Sequence, residues 1–229
     1  MLIFIDKKAP EQAKETLKKY GEVVGFFSEN ICYEAISGHP DIFMTQVDGR
    51  LIVAPNLPGD FQTLLTQNKI AFTKGDKPVG SKYPETSFYN AVATKNFIIH
   101  QTNQTDDSIM QQCGQKVKIA VKQGYTRCNL IALNDEKMIT SDQGIYQQLT
   151  KKGIETLFVD SRGIVLPTFD HGFFGGTCGI SGNKLFIIGN LRYFAEGKAV
   201  RNFIENAGLE IIELYKGPLF DGGGIFFID

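Results

Sequence analysis

Leu2-Ile3-Phe4-Ile5-Asp6, near the start of the chain, is almost repeated by Ile225-Phe226-Phe227-Ile228-Asp229 at the other end. Each stretch is a short apolar run that closes on an aspartate, a pattern typical of a buried β-strand. We interpret the two stretches as adjacent strands of one sheet, so that both termini share a single structural unit. Such a pairing would close the chain into a ring.

Apolar runs of the same kind recur along the chain at a nearly constant distance. Counted from residue 2, they begin at residues 51, 97, 138 and 185, which are steps of 49, 46, 41 and 47 residues. The step from residue 185 through the end of the 229-residue chain and back to residue 2 is 46 residues. A period that also bridges the two ends predicts five copies of one unit.

A helical pattern and then a second strand follow each apolar run, so the predicted unit is strand, helix, strand. The helices are predicted at residues 10–20, 59–68, 106–113, 142–152 and about 196–207, and the second strands at 22–27, 69–74, 116–122, 155–160 and 210–216. Residues able to adopt the left-handed conformation that ends a helix stand after these helices. They are Gly21, Asn68, Gly114, Gly153 and Gly208.

Composition describes an ordinary globular protein, with 42% hydrophobic residues and a net charge of −1. Both signs of charge are spread along the chain, so we expect no nucleic-acid partner. The N-terminal stretch reaches a charge after four apolar residues and lacks a basic region, so we expect neither a signal peptide nor a membrane association. The four cysteines form no CxxC pair. We therefore expect reduced thiols and a cytoplasmic location.

A doubly wound α/β sheet would show a similar rhythm of strands and helices. Such a sheet carries a glycine-rich phosphate turn after its first strand. Here Asp6-Lys7-Lys8-Ala9-Pro10 stands at that place. No nucleotide fingerprint is present, and we expect no cofactor.

Five units with a shared first and last unit resemble the pentein fold. This fold is the five-fold pseudo-symmetric α/β-propeller of guanidino-modifying enzymes, amidinotransferases and the ribosomal anti-association factor. The resemblance covers the whole chain and implies one domain over residues 1–229. A more local similarity lies in Gly38-His39-Pro40-Asp41-Ile42-Phe43, which looks like the His-x-Asp-x-x-Phe stretch of arginine deiminases but has one residue instead of two between Asp41 and Phe43.

In the pentein enzymes a cysteine attacks the guanidinium carbon, a histidine transfers protons, and carboxylates hold the cation. A guanidinium is planar and always charged, which suits bidentate carboxylates. The cysteine of these enzymes follows a glycine-rich turn in the last unit. Here Gly222-Gly223-Gly224 leads into Ile225 without a cysteine. The sequence therefore predicts a central polar cleft that lacks the usual C-terminal nucleophile.

Aligning the hairpins of the units indicates which residues reach the same central height. The catalytic candidates are His39, Asp41, Cys128 and His171, and the candidate ligand-binding carboxylates are Glu85 and Asp221. The neighbouring Arg127 could lower the pKa of the Cys128 thiol. The three histidines are far apart in sequence and show no metal-ligand spacing, so no metal site is predicted.

Three functions are compatible with this pattern. The first is binding of a small cationic, guanidino or amino-acid-like ligand in the central cleft, with Asp41, Glu85 and Asp221 as its carboxylates. The second is a catalytically silent protein that binds partners through its outer surface. The third is a guanidine hydrolase or amidinotransferase with Cys128 as a relocated nucleophile beside His39 or His171. A sulfur more than about 6 Å from both imidazoles would exclude the third function.

Overall fold

In the computed structural model, which describes all residues from Met1 to Asp229, the strands form five three-stranded sheets. The first sheet contains β1 (Leu2–Asp6), β2 (Glu22–Phe26) and β15 (Phe226–Ile228), and the second contains β3 (Met44–Val47), β4 (Arg50–Val53) and β5 (Phe72–Lys74). The third contains β6 (Val92–Ala93), β7 (Phe97–His100) and β8 (Val117–Ala120), and the fourth contains β9 (Leu130–Ala132), β10 (Lys137–Thr140) and β11 (Glu155–Phe158). The fifth contains β12 (Cys178–Ser181), β13 (Lys184–Ile187) and β14 (Glu210–Glu213).

All five sheets have the same internal topology. The middle strand pairs antiparallel with one neighbour and parallel with the other. A helix connects each parallel pair, because parallel strands need a crossover connection. These helices are α1 (Glu11–Leu17), α2 (Gly59–Gln67), α3 (Asp107–Cys113), α5 (Gln143–Lys151) and α6 (Gly197–Glu205), and a short helix α4 (Thr126–Asn129) precedes β9.

The two termini lie in the same sheet, as their similar sequences predict. Strand β15 runs antiparallel to β1, with Leu2 opposite Ile228 and Phe4 opposite Phe226. Strand β1 is buried along its whole length between β15 and β2. The prediction that the termini share one unit is therefore confirmed.

The helix ends agree with the predicted ones in three of five cases. Gly114, Gly153 and Gly208 have positive φ angles of 53°, 76° and 81°. The prediction for Gly21 was wrong, because Gly21 is not left-handed. Its role is close packing: a Cβ there would lie 2.8 Å from the carbonyl oxygen of Met1. After α2 the left-handed residue is Lys69, with a φ of 57°, rather than the predicted Asn68.

A cavity of about 200 Å³ contacts every one of the five sheets. The antiparallel outer strand of each sheet, or the residue directly before it, contributes to its wall. The residues from these strands are Thr45 and Gln46 (β3), Val92 and Ala93 (β6), Leu130, Ile131 and Ala132 (β9), Ile180 (β12), and Ile225 and Phe226 at β15. A hydrogen bond from Gln46 Nε2 to the carbonyl oxygen of Phe227 (2.9 Å) connects the second sheet to the first.

None of the helices combines the length and the apolar character that a membrane crossing requires.

Candidate active site

A second cavity, of about 150 Å³, brings together four of the predicted site residues. These four are His39, Cys128, His171 and Asp221. The rest of the wall is aromatic or aliphatic and consists of Tyr33, Ile36, Tyr125, Leu166, Phe169 and Phe173. Residues that are far apart in sequence thus converge on one small space.

Cys128 lies on the short helix α4, at the buried end of this cavity. Its thiol donates a hydrogen bond to Asp41 Oδ2 at 2.9 Å. Asn90 fixes the helix from the other side: its Oδ1 accepts the Cys128 N–H at 3.1 Å, and its Nδ2 lies 3.5 Å from the sulfur. Hydrogen bonds with Asp41 and Asn90 thereby fix the position of the sulfur.

His39 completes a three-residue cluster with Asp41 and Cys128. One side-chain donor atom from each of the three lies within 4.8 Å of the other two. His39 and Asp41 come from one short segment, since Pro40–Ile42 forms a single turn of 3₁₀-helix between the loop and β3. The Cys128 sulfur therefore lies within 4.8 Å of a His39 ring nitrogen, which is less than the separation of about 6 Å that would exclude the two as nucleophile and base.

Three polar atoms of this cluster are buried without a hydrogen-bond partner. They are both ring nitrogens of His39 and Oδ1 of Asp41. Buried side-chain polar atoms nearly always have partners in native proteins. Unsatisfied atoms that converge beside a cavity are therefore positioned to bind a ligand that offers hydrogen-bond donors and acceptors.

Burial determines the charge state of the cluster. It lowers the pKa of His39 to about 3, so the imidazole is neutral at neutral pH. It raises the pKa of Cys128 well above the usual value, and the negative charges of Asp41 and Asp221 raise it further. It also raises the pKa of Asp41 to about 6, against the opposing effect of the Cys128 hydrogen bond. Without a bound cation, Cys128 is therefore a neutral thiol.

The sequence-based interpretation of Arg127 was wrong. Its guanidinium donates hydrogen bonds to the carbonyl oxygens of Gly175 (2.6 Å) and Cys178 (2.8 Å) and packs over the ring of Phe226. It lines the first cavity and not the second. Helical geometry sends neighbouring side chains in different directions, so adjacency in sequence did not bring this charge to the Cys128 sulfur.

Asp221 contributes a carboxylate to the cavity wall. Its Oδ2 accepts the N–H of Phe173 at 2.8 Å, and its Oδ1 accepts the N–H of Gly223 at 3.1 Å. Burial raises the pKa of this carboxyl to about 7, although these two hydrogen bonds oppose the shift. The group is therefore poised to ionise fully when a cation arrives.

The glycine run at Gly222-Gly223-Gly224 exists because the backbone passes very close to the site. A Cβ on Gly223 would lie 2.4 Å from His39 Cβ, and Gly223 also has a φ of 66°. A Cβ on Gly224 would lie 2.7 Å from the Arg127 guanidinium. Gly223 leaves room for His39 and Gly224 leaves room for Arg127, so a side chain at either position would displace its neighbour.

Asp6 is a site residue that sequence reasoning missed. Its Oδ2 lies 3.9 Å from His39 Nε2, and burial raises its pKa to about 6. Gly38 permits this approach, since a Cβ at Gly38 would clash with the Asp6 carboxylate. The signal was available, because Asp6 is the polar residue that closes the first apolar strand.

The remaining predicted residues differ in their placement. His171 lines the cavity, and its Nδ1 lies 3.0 Å from Ser161 Oγ and 3.1 Å from the carbonyl oxygen of Gly172. Glu85 does not reach the cluster: it is exposed and absent from the cavity wall, because it follows Pro84 in a surface loop. His100 lies outside the cavity wall and is fully buried, with Thr105 and the Gly124 carbonyl bonded to its ring.

The cluster also offers donor atoms that suit a metal ion. His39, Asp41 and Cys128 supply one nitrogen, one oxygen and one sulfur atom, a set that zinc accepts. The spacing in sequence gave no sign of this set, because the three atoms meet only through the fold. Sequence reasoning predicted no metal site.

Replacing Asp221 with asparagine is expected to change the pH dependence of stability. The folded carboxyl holds its proton up to about pH 7, whereas an unfolded aspartate releases it near pH 3.8. Folding therefore requires proton uptake between these values, and the wild type loses stability relative to Asp221→Asn as pH rises from about 4 to about 7. Urea denaturation of both proteins across this range measures the difference. A constant difference would show that this carboxyl ionises normally in the folded protein.

Comparison with solved structures finds proteins that share this fold. The chain aligns with C. jejuni agmatine deiminase at 10% identity and a TM-score of 0.55, over 85% of this chain and 70% of that one. It aligns with the amidinotransferase SxtG from Microseira wollei at 11% identity and a TM-score of 0.54, over 92% and 87%. It aligns with a cysteine-to-serine variant of Pseudomonas aeruginosa DDAH, complexed with citrulline, at 8% identity and a TM-score of 0.54, over 90% and 80%.

At these identities the likeness concerns the fold, and it confirms the pentein resemblance at that level. Among curated proteins, none matches the sequence. The profile described as "Family of unknown function (DUF6873)" matches residues 4–226, and the chain belongs to that family.

Proposed function

We propose that this protein is a cysteine-dependent enzyme that cleaves a C–N bond of a guanidine or amidine, with Cys128 as its nucleophile. The observation that carries the proposal is the cluster of Cys128, His39 and Asp41 within 4.8 Å of one another, with Cys128 and His39 in the wall of a cavity that Asp221 also lines. It is the third of the functions that the sequence left open. A nucleophile within reach of a base, and carboxylates around it, are the parts that such a reaction needs.

The site holds a planar cation by opposite charge. Asp41 Oδ2 lies 2.9 Å from the Cys128 sulfur, and Asp221 lines the same cavity as Cys128. A guanidinium bound there would donate hydrogen bonds to Asp221 and to the unpaired Oδ1 of Asp41. Its positive charge would also offset the two carboxylates that hold the thiol neutral, so binding itself would favour the thiolate.

The reaction proceeds through a covalent intermediate. The Cys128 proton passes to His39, and the sulfur attacks the guanidinium carbon to form a C–S bond. His39 then returns that proton to one nitrogen, which leaves as an amine or ammonia when its C–N bond breaks. Water, deprotonated by His39, attacks the amidino carbon, the C–S bond breaks, and the thiol regains its proton. The net change is guanidinium plus water to a ureido compound plus ammonium.

An amine in place of water would give amidino transfer through the same intermediate. The structural neighbours include both an agmatine deiminase and an amidinotransferase, so either acceptor is compatible with this fold. A variant of the C. jejuni deiminase with a serine in place of cysteine holds bound substrate. In this chain the proposed cysteine is Cys128.

We also propose that the five sheets surround the first cavity as a five-bladed propeller in one domain. Wall residues from all five sheets support this arrangement.

A thiol nucleophile that stays reduced is consistent with the cytoplasmic location expected from the sequence. Partner binding through the outer surface is the alternative that needs no reaction, and unreactive cysteines in the test below would favour it.

A pair of alkylating reagents tests the proposal. Chloroacetamidine is planar and cationic, whereas chloroacetamide has nearly the same shape but no charge. We expect the amidine to label Cys128 about tenfold faster than the amide relative to their rates with free thiol, because only the amidine pairs with Asp221. Peptide mapping identifies the labelled residue, and half-buried Cys32 serves as the internal control. Equal relative rates at Cys128, or labelling at Cys32 alone, would contradict the proposal.

A further inference from the structure

The wall of the second cavity contains no lysine and no arginine. Its ionisable side chains, apart from Cys128 and two tyrosines, are His39, His171 and Asp221. The other side chains are apolar or aromatic. A ligand in this cavity therefore meets negative charge at the buried end and no fixed positive charge elsewhere.

Two cations near the site residues, Arg127 and Lys8, are already bound to other groups. Arg127 donates to the carbonyl oxygens of Gly175 and Cys178. Lys8 forms an ion pair with Glu34 at 2.7 Å and a hydrogen bond with Ser37 at 3.0 Å. Neither side chain lines the cavity, so neither is placed to receive a ligand carboxylate.

Aromatic side chains form the outer part of the cavity. Phe169 is 54% exposed and Tyr33 is 36% exposed, and their ring centroids lie 6.2 Å apart. The Tyr33 hydroxyl also lies 3.2 Å from that of Tyr125, which holds the two rings in place at this edge. Exposed aromatic rings around a cavity favour apolar and aromatic groups.

We propose that the substrate is a guanidine or amidine whose substituent is uncharged and apolar, such as a benzyl or short alkyl group, and that amino acids such as arginine are excluded. This inference rests on the proposed function. The cationic end pairs with Asp221 and Asp41, and the substituent lies against the adjacent rings of Tyr33 and Phe169. A ligand carboxylate would lose its water without gaining a cation, and it would be repelled by the buried aspartates.

Benzylguanidine and 4-(guanidinomethyl)benzoate test this inference, because they differ only by one carboxylate on the ring. We measure their binding to the Cys128→Ser protein by calorimetry, and in the wild type by their protection of Cys128 against chloroacetamidine. The second measurement remains available if the variant does not fold. We expect benzylguanidine to bind at least about tenfold more tightly than the benzoate, since like charges at close range cost several kcal/mol.

Substitutions at Phe169 locate the substituent. Phe169→Arg is expected to reduce or reverse the preference by giving the carboxylate a partner, and Phe169→Ala to weaken benzylguanidine binding severalfold. Tyr193→Ala is the matched control, because Tyr193 is also an exposed aromatic residue (51%) but lies away from the cavity. An unchanged preference in Phe169→Arg would overturn the placement of the substituent.

The outcomes separate this inference from the proposed function. Equal or tighter binding of the benzoate, or tight binding of arginine, would overturn the inference and leave cysteine-dependent guanidine chemistry intact. Failure of every guanidine to bind or to protect Cys128 would overturn the proposed function and the inference with it.

Discussion

Replacing Cys128 with serine is expected to reduce turnover of a guanidine by on the order of 10³-fold or more while leaving its binding nearly unchanged. A serine hydroxyl ionises far less readily than a thiol, so the C–S bond-forming step is lost. The serine hydroxyl occupies the position of the sulfur beside Asp41, and Asp221 remains available to pair with the cation. Ammonia release measures turnover, with methylguanidine and benzylguanidine as substrates.

Cys178→Ser is the matched control for this substitution. Cys178 is as deeply buried as Cys128 and lies beside Thr177 Oγ1 at 3.2 Å, so a serine there loses a similar amount of packing. It does not line the second cavity. Comparable activity losses in the two variants would attribute the effect to misfolding, and retained activity in Cys128→Ser would contradict a role for this sulfur.

Replacing His39 with glutamine is expected to lower kcat by about 10²- to 10⁴-fold, the usual contribution of a general acid–base group. Burial lowers the pKa of His39 to about 3, so its ring is neutral and has a lone pair for a proton, and the thiol gives up its proton when a bound cation lowers the thiol pKa. Glutamine fills a similar volume and can hydrogen-bond, but it cannot transfer a proton. The measurement is the pH dependence of kcat, which is expected to lose the contribution of this group in the variant.

His171→Gln decides between the two histidines that the sequence left open. His171 also lines the cavity, but hydrogen-bonding groups of Ser161 and Gly172 already lie beside its Nδ1. We expect a much smaller loss of kcat in this variant than in His39→Gln. A larger loss in His171→Gln would move the proton-transfer role to His171. His100→Gln controls for stability, since His100 is buried away from the cavity.

The repeated architecture could be predicted because each unit carries its own local signals. Apolar runs such as Leu2 to Asp6, and the glycines after α3 and α5, are determined by nearby sequence. Of the outer antiparallel strands, only the one at Ile225 to Asp229 was assigned from the sequence. Strand β6 contains only Val92 and Ala93, which is too short to show a periodic pattern. Its pairing with β7 comes from the fold.

Alignment of the repeats brings predicted site residues together where the hairpins are equivalent, and it leaves Glu85 apart because a surface loop carries it. His39, Cys128 and Asp221 follow from aligning equivalent hairpins, and they line one cavity. Glu85 was aligned by the same count, but the surface loop around Pro84 turns it to solvent. Asp6 was missed because it approaches His39 from another sheet, across a gap that only Gly38 allows.

The most direct test is to detect the covalent intermediate on Cys128. The wild-type protein is mixed with an excess of benzylguanidine, quenched with acid during turnover, digested and examined by mass spectrometry. We expect an amidino adduct on the peptide that contains Cys128, absent from the Cys128→Ser protein and from wild type quenched before mixing. Turnover without any adduct on this peptide, or an adduct on Cys32, Cys113 or Cys178 instead, would contradict the assignment of Cys128 as the nucleophile.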